Sequence, residues 1–138
     1  MSIPERWNPA TVPAPVGTYS HLVSVPTGSQ LVFISGQVGT LADGSIASGA
    51  YEQTKAILAN INGLLESLDV GPEHIVRLLT FVAGRDNVAD WARARNEVYA
   101  EWFPDQPVPG HSMLVAEALF RPDILVEVEG WVAVPVAQ

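Results

Sequence analysis

The stretch ILVEVEGWVAV, residues 124–134, alternates strictly. Val126, Val128, Val132 and Val134 fall on one side of an extended chain; Glu127, Glu129, Trp131 and Ala133 fall on the other. Side chains of a strand alternate between faces with a period of two residues, so this segment is a strand whose valine face needs an apolar cover. Two amphipathic helices can supply it. Ile57, Ile61, Leu64, Leu65 and Leu68 form one helical stripe, ended by Gly71 and Pro72. Val88, Trp91, Ala92, Arg95, Val98, Tyr99 and Trp102 form a second, with Asp86 as its cap and Pro104 as its stop. Further apolar runs, at about 19–25, 30–38, 74–82 and 111–117, read as strands, and the first two flank PTGS, a hairpin-turn signal. The first 18 residues carry Pro4, Pro9, Pro13, Pro15 and Gly17 and read as an extended arm, with Trp7 and Tyr19 to pack it. The order ββαβαββ predicts one α+β domain over 1–138: a single, mostly antiparallel sheet with both helices on one face.

The other sheet face is unusual. In 30–38, the period of two groups Leu31, Phe33, Ser35 and Gln37 on one side and Val32, Ile34, Gly36 and Val38 on the other. By analogy, Ser35 and Gln37 join Glu127, Glu129 and Trp131. That face is too apolar for a wet surface and too polar for a core. Charged residues are only 16% of the chain and hydrophobic ones 48%, which points to apolar surface buried between subunits. Carboxylates on such a face must find donors or take up a proton. On the pattern alone, a solvated glutamate is the commoner case, and Glu127 is not singled out.

Composition excludes several classes. A net charge of -8 with seven unclustered Lys and Arg disfavours nucleic acid and anionic membrane as partners. There is no cysteine, hence no disulfide framework and no thiolate chemistry. The three histidines, His21, His74 and His111, lack metal-ligand spacing, and SGQVG lacks the lysine and following helix of a phosphate loop. Neither a metal nor a cofactor is expected. MSIPERWNPA contains no signal-like apolar run, and the expected location is the cytoplasm. In VPGHSMLVAE, a turn hands over to a strand that opens on His111. His111 and Ser112 are neighbours on that strand, so they face opposite ways and cannot form a nucleophile–base pair.

Four segments carry a resemblance over essentially the whole chain. PVGTYSHLVSV, LVFISGQVG, RARNEVYAEWF and LVEVEGWVAV, in this order, resemble the RidA family, also called YjgF or liver perchloric-acid-soluble protein. The resemblance implies a chorismate-mutase-like fold and a homotrimer whose ligand clefts lie between subunits. It also implies cofactor-free hydrolysis of reactive enamines and imines to 2-oxo acids and ammonia. Carried over, Tyr19, Ser35, Gly36 and Asn96 are cleft residues, and Glu127 is the acid associated with the catalytic water. Met113, on the same strand face as His111, joins the substrate-binding set. The family's deaminases open the 111–117 strand with Arg-Ser, the arginine clamping the substrate carboxylate. Here the pair is His111-Ser112, and the loop EALFRPD is about one residue longer.

A guanidinium binds a carboxylate through two parallel hydrogen bonds, whereas an imidazole offers one donor in a given direction. Three expectations follow. His111 and Glu127 line one cleft completed by a neighbouring subunit, with His111 binding substrate or shuttling a proton; Arg121, in the longer loop, is a candidate replacement for the missing arginine; and His111→Arg restores the clamp. Two functions fit: a Rid-type hydrolase of a small imine, enamine or related electrophile, or a non-catalytic trimer binding a small metabolite in the same clefts. An endoribonuclease, the label some relatives carry, fits the net charge poorly.

Overall fold

A computed structural model describes residues 2–136. The strands are β1 (Glu5–Trp7), β2 (Leu22–Ser24), β3 (Ser29–Val38), β4 (Ile75–Ala83), β5 (Gly110–Ala116) and β6 (Val126–Pro135). The helices are α1 (Gly49–Ser67) and α2 (Val88–Trp102). The main sheet has the order β3-β6-β4-β5. β6 runs antiparallel to both β3 and β4, whereas β4 and β5 are parallel and joined through α2. The sheet is therefore mixed, with both helices on one face, as the α+β reading expects.

The alternation in 124–134 does what its pattern demands. Val126, Val128 and Val132 are fully buried against Ile57, Ile61 and Leu65 of α1 and Trp91 and Tyr99 of α2. Ile34, Leu78 and Val82 complete this core from β3 and β4. Burying an aliphatic side chain of this size contributes roughly 1.5–3 kcal/mol, so the valine stripe fixes the register of β6.

Three expectations change. First, 19–25 does not form a hairpin with 30–38. The turn itself is present, with Ser29 N–H donating to the Pro26 carbonyl and Gly28 at φ +85°. However, β3 spends its ten residues on the long, matching β6, and the three-residue β2 pairs instead with β1 of the arm. Second, β3 carries a bulge. Ile34 faces Gly130 and Gln37 faces Val128, so Ser35 and Gly36 together oppose Glu129. One extra residue flips the faces that follow: Gln37 takes the register of buried Val128, and Val38 that of Glu127. Third, Asp86 is not the cap of α2. It sits in a 3-10 turn, Arg85–Asn87, and Asn87 precedes the helix, its side-chain amide donating to the Ala83 carbonyl at 2.7 Å.

Gln53 couples the two layers. Its side chain, 1% exposed, donates to the Ala47 and Asp123 carbonyls and accepts from Leu125 N–H at 2.8 Å. One amide of α1 thus satisfies three backbone groups and holds the entry to β6, two residues before Glu127.

Candidate functional site

The residues marked by the sequence fall into two groups on opposite faces of the sheet. On the face away from the helices, Glu127 lies half-buried between Val126 and Val128, both on the core side. Its carboxylate lies against Gly36: a Cβ built there would stand 2.8 Å from Glu127 Cδ. The bulge and the missing side chain at Gly36 are what let the acid lie flat on the sheet. Among the described residues, neither Glu127 nor Glu129 has an ion pair. Phe33 and Trp131 pack beside them with ring centroids 5.0 Å apart. Ser35, exposed at the bulge, accepts the Gln37 side-chain amide at its carbonyl, 3.0 Å.

The second group surrounds the start of β5. In the parallel register, His111 stands beside Leu78 and Met113 beside Thr80, positions that face the helices. The His111 ring stacks on Trp91, centroids 5.6 Å apart and 18° from parallel, and its Nε2 meets Thr80 Oγ1 at 3.0 Å. The Arg95 guanidinium covers Trp91 at 4.7 Å, and its Nε donates to Asn96 Oδ1 at 2.9 Å. Burial, reinforced by the positive charges of Arg95 and Arg77, pushes the His111 imidazole down to about 4. At neutral pH it is a neutral hydrogen-bonding ring with little capacity to pick up a proton.

Within one protomer His111 and Glu127 do not share a cleft; the expectation was of a cleft completed by a neighbouring subunit. β5 presents the imidazole toward α2, while β6 presents the carboxylate to the opposite face. Met113 follows His111 and packs partly buried on the helix-side core, away from Glu127. Arg121 does not reach back either: in its exposed turn it holds Asp123 through a two-pronged pair, 3.0 and 2.7 Å.

A cleft of about 420 Å³ opens at the mouth of β5. Tyr19, His21, Arg77, Gly110, His111 and Ser112 are among its walls. Ser20 moors the Tyr19 segment there, its N–H donating to the Pro109 carbonyl and its hydroxyl to that of Val108 at 2.6 Å. Tyr19 and His21 then meet edge to face, 5.6 Å apart. Gly110 leaves Arg77 its room, since a Cβ there would press within 3.4 Å of Arg77 Cβ. The structure thus brings Tyr19 and His111 to one cleft, sets Asn96 against Arg95 on α2, and joins Ser35 and Gly36 with Glu127 on the other face. Sequence reasoning missed Arg77, although it is the one charged residue in the apolar run IVRLLTFVA. Among the described residues, no group of three or more His, Asp or Glu converges as a metal site.

The chain is similar to known proteins in sequence and in fold. The family model described as endoribonuclease L-PSP matches residues 10–134. A RutC family protein of Pyrococcus abyssi is 29% identical over 119 residues, covering 85% of this chain and 87% of the relative. The mitochondrial protein mmf2 of Schizosaccharomyces pombe is 33% identical over 101 residues, covering 72% and 73%. Among solved structures, YyfB of Yersinia pestis, a Rid-family protein of unknown function, superimposes with a TM-score of 0.82 at 27% identity, covering 96% of this chain and 99% of that one. With its bulged β3, its helix-backed mixed sheet and these relatives, the chain belongs to the endoribonuclease L-PSP family, the YjgF/RidA or Rid proteins.

Proposed function

We propose that the protein is a cofactor-free, homotrimeric Rid-type hydrolase that adds water to a small imine or enamine, releasing ammonia and a carbonyl compound. Its cleft is composite: Tyr19 and the β5 mouth of one protomer face Ser35, Gly36 and Glu127 of the next. The observation that carries this reading is the Glu127 carboxylate, half-buried against Gly36 with no ion-pair partner among the described residues. A carboxylate so placed can hold a water and accept its proton as the water attacks the imine carbon. The proton then serves the departing nitrogen. Tyr19 orients the substrate from across the interface, with Asn96 holding the Arg95 end of α2. His111 contributes as a neutral hydrogen-bonding wall.

The trimer is supported by the face itself. Leu31, Phe33, Leu114 and Trp131 are 37–50% exposed in one protomer and sit with Glu127 and Glu129 on the same side. An apolar patch of that kind, with polar groups set into it, is the composition of a subunit interface. Ribonuclease activity, which the family's description names, finds no support in a chain of net charge -8.

The test is a set of imines generated in situ from several amino acids, with ammonia release as the readout. The proposal expects turnover in the wild type and a loss of about a hundredfold or more in Glu127→Gln. Absence of turnover on every imine, with small metabolites still raising the melting temperature, would make the protein a binder.

A further inference from the structure

The cleft at the mouth of β5 holds one permanent cation, Arg77, among walls that are otherwise hydroxyl, imidazole, aliphatic or backbone. Arg77 is half-buried. Among the described residues, no carboxylate lies within ion-pair distance of it. The other interior arginines are engaged differently: Arg6 donates to the carbonyls of Glu73, Ile75 and Pro107, and Arg95 lies on Trp91 and holds Asn96. Arg77 is thus a fork of donors without an acceptor, facing a cavity at the small end of ligand-sized pockets. One such fork matches one carboxylate through two parallel hydrogen bonds. A dianionic phosphate would call for more positive charge than this cleft offers.

The neutral ring at His111 belongs to the same design. Arg77 and Arg95 both bear on it electrostatically. A third cation at 111 would crowd charge of one sign, whereas an uncharged imidazole stacked on Trp91 leaves Arg77 as the one group that attracts an anion. Tyr19 and Ser112 supply hydroxyls for whatever polar atom adjoins the carboxylate.

We propose that Arg77 is the anion-holding group of this cleft and that it grips the carboxylate of a small 2-oxo or 2-imino acid. The imino-acid half of this statement rests on the hydrolase reading above; the grip on a carboxylate does not, and it is measured without turnover. Arg77 is then a specificity-determining residue. It sits on β4, one strand over from position 111, where the resemblance places the clamp.

The experiment is calorimetric titration of the trimer with 2-oxobutanoate and, as an uncharged partner of the same shape, 2-oxobutanamide. Wild type, Arg77→Met, Arg77→Lys and Glu127→Gln are compared, with the His111 ring proton followed by NMR. In the wild type, the acid binds at least about tenfold more tightly than the amide. Arg77→Met abolishes that preference, and Arg77→Lys retains part of it, because an ammonium keeps the charge and loses the fork. Glu127→Gln keeps the preference. The His111 titration moves up in Arg77→Met and also when wild type is saturated with the acid, a response that a purely structural arginine would not give. Equal binding of acid and amide by wild type, an undiminished preference in Arg77→Met, or no acid binding by wild type each overturns the proposal. Should Arg77→Met fail to assemble, Arg77→Lys and the acid–amide ratio of the wild type decide it alone. Acid binding through Arg77 without imine turnover would sink the hydrolase reading and leave this one standing.

Discussion

At the scale of single residues, His111 shows how far a sequence position and a side-chain direction are separate facts. The resemblance puts position 111 at a ligand cleft, and His111 is among the residues that line one. Its ring is held there by Trp91 and Thr80 on the helix side. The expectation that His111→Arg restores a carboxylate clamp therefore changes. A guanidinium there would lose the stack and join Arg77 and Arg95, so we expect lower stability and no gain in 2-imino acid hydrolysis, checked by melting temperature and ammonia release. The same ring carries a pH signature. Its native pKa lies at about 4 against an ordinary 6.5, so the unfolded chain binds a proton that the native one refuses. His111 therefore costs no stability above about pH 6.5; the cost grows as pH falls toward about 4 and then levels off, totalling roughly 3–4 kcal/mol. Trp91 from α2 and Thr80 from β4 touch the ring, and the charges of Arg95 and Arg77 act on it. Urea denaturation across pH 4–7 should show a shallower acid slope in His111→Phe than in wild type; parallel slopes would refute the assignment.

At the scale of elements, what was legible had a period. The β6 alternation, the two helical stripes and the element order from β2 to β6 follow from spacing alone, whereas β1 was read only as extended arm; the valine stripe meets the helices as the spacing requires. What was not legible had no period. The β3 bulge places Gly36, rather than Gln37, on the Glu127 face, and an insertion of one residue leaves no mark on an alternation of apolar and small side chains. The pairing of β2 with the arm is a competition between partners distant in sequence, decided by lengths rather than by the turn between β2 and β3. The site was half legible for the same reasons: Glu127, Gly36 and Tyr19 came from short motifs, whereas Arg77 and Gln53 act through tertiary contacts. Two predictions belong here. Gly36→Ala pushes a methyl into the Glu127 carboxyl, so catalysis should fall at least about tenfold while the protein still folds, because the displaced group is the end of a flexible side chain. Gln53→Leu strands the Leu125 N–H and removes the donor to two carbonyls, which should cost about 2–4 kcal/mol in denaturant unfolding and lower activity by loosening the entry to β6.

At the scale of the whole molecule, the His111 ring and the Glu127 carboxylate lie on opposite faces of one sheet, whereas Arg77, which pairs with Trp131 in the β4–β6 register, lies on the Glu127 face about 13 Å along the strand from it. In the proposed trimer a neighbouring protomer completes the cleft, and the exposed Phe33, Trp131 and Leu114 are the surface proposed for that contact. Phe33→Glu should therefore dissociate the trimer in light scattering and abolish turnover together, since it places a charge in the apolar seam. The measurement that bears most directly on the composite cleft is subunit mixing. Arg77→Met and Glu127→Gln, each impaired alone on a carboxylate-bearing imine, are unfolded together in equal amounts and refolded into mixed trimers, with mixing verified by native mass spectrometry. If each cleft takes Arg77 from one protomer and Glu127 from the next, about one quarter of the clefts in a random mixture carry both intact residues, and about one quarter of wild-type imine hydrolysis returns. If both residues serve a cleft within one protomer, the mixed trimers stay as impaired as their parents, and the composite cleft is contradicted.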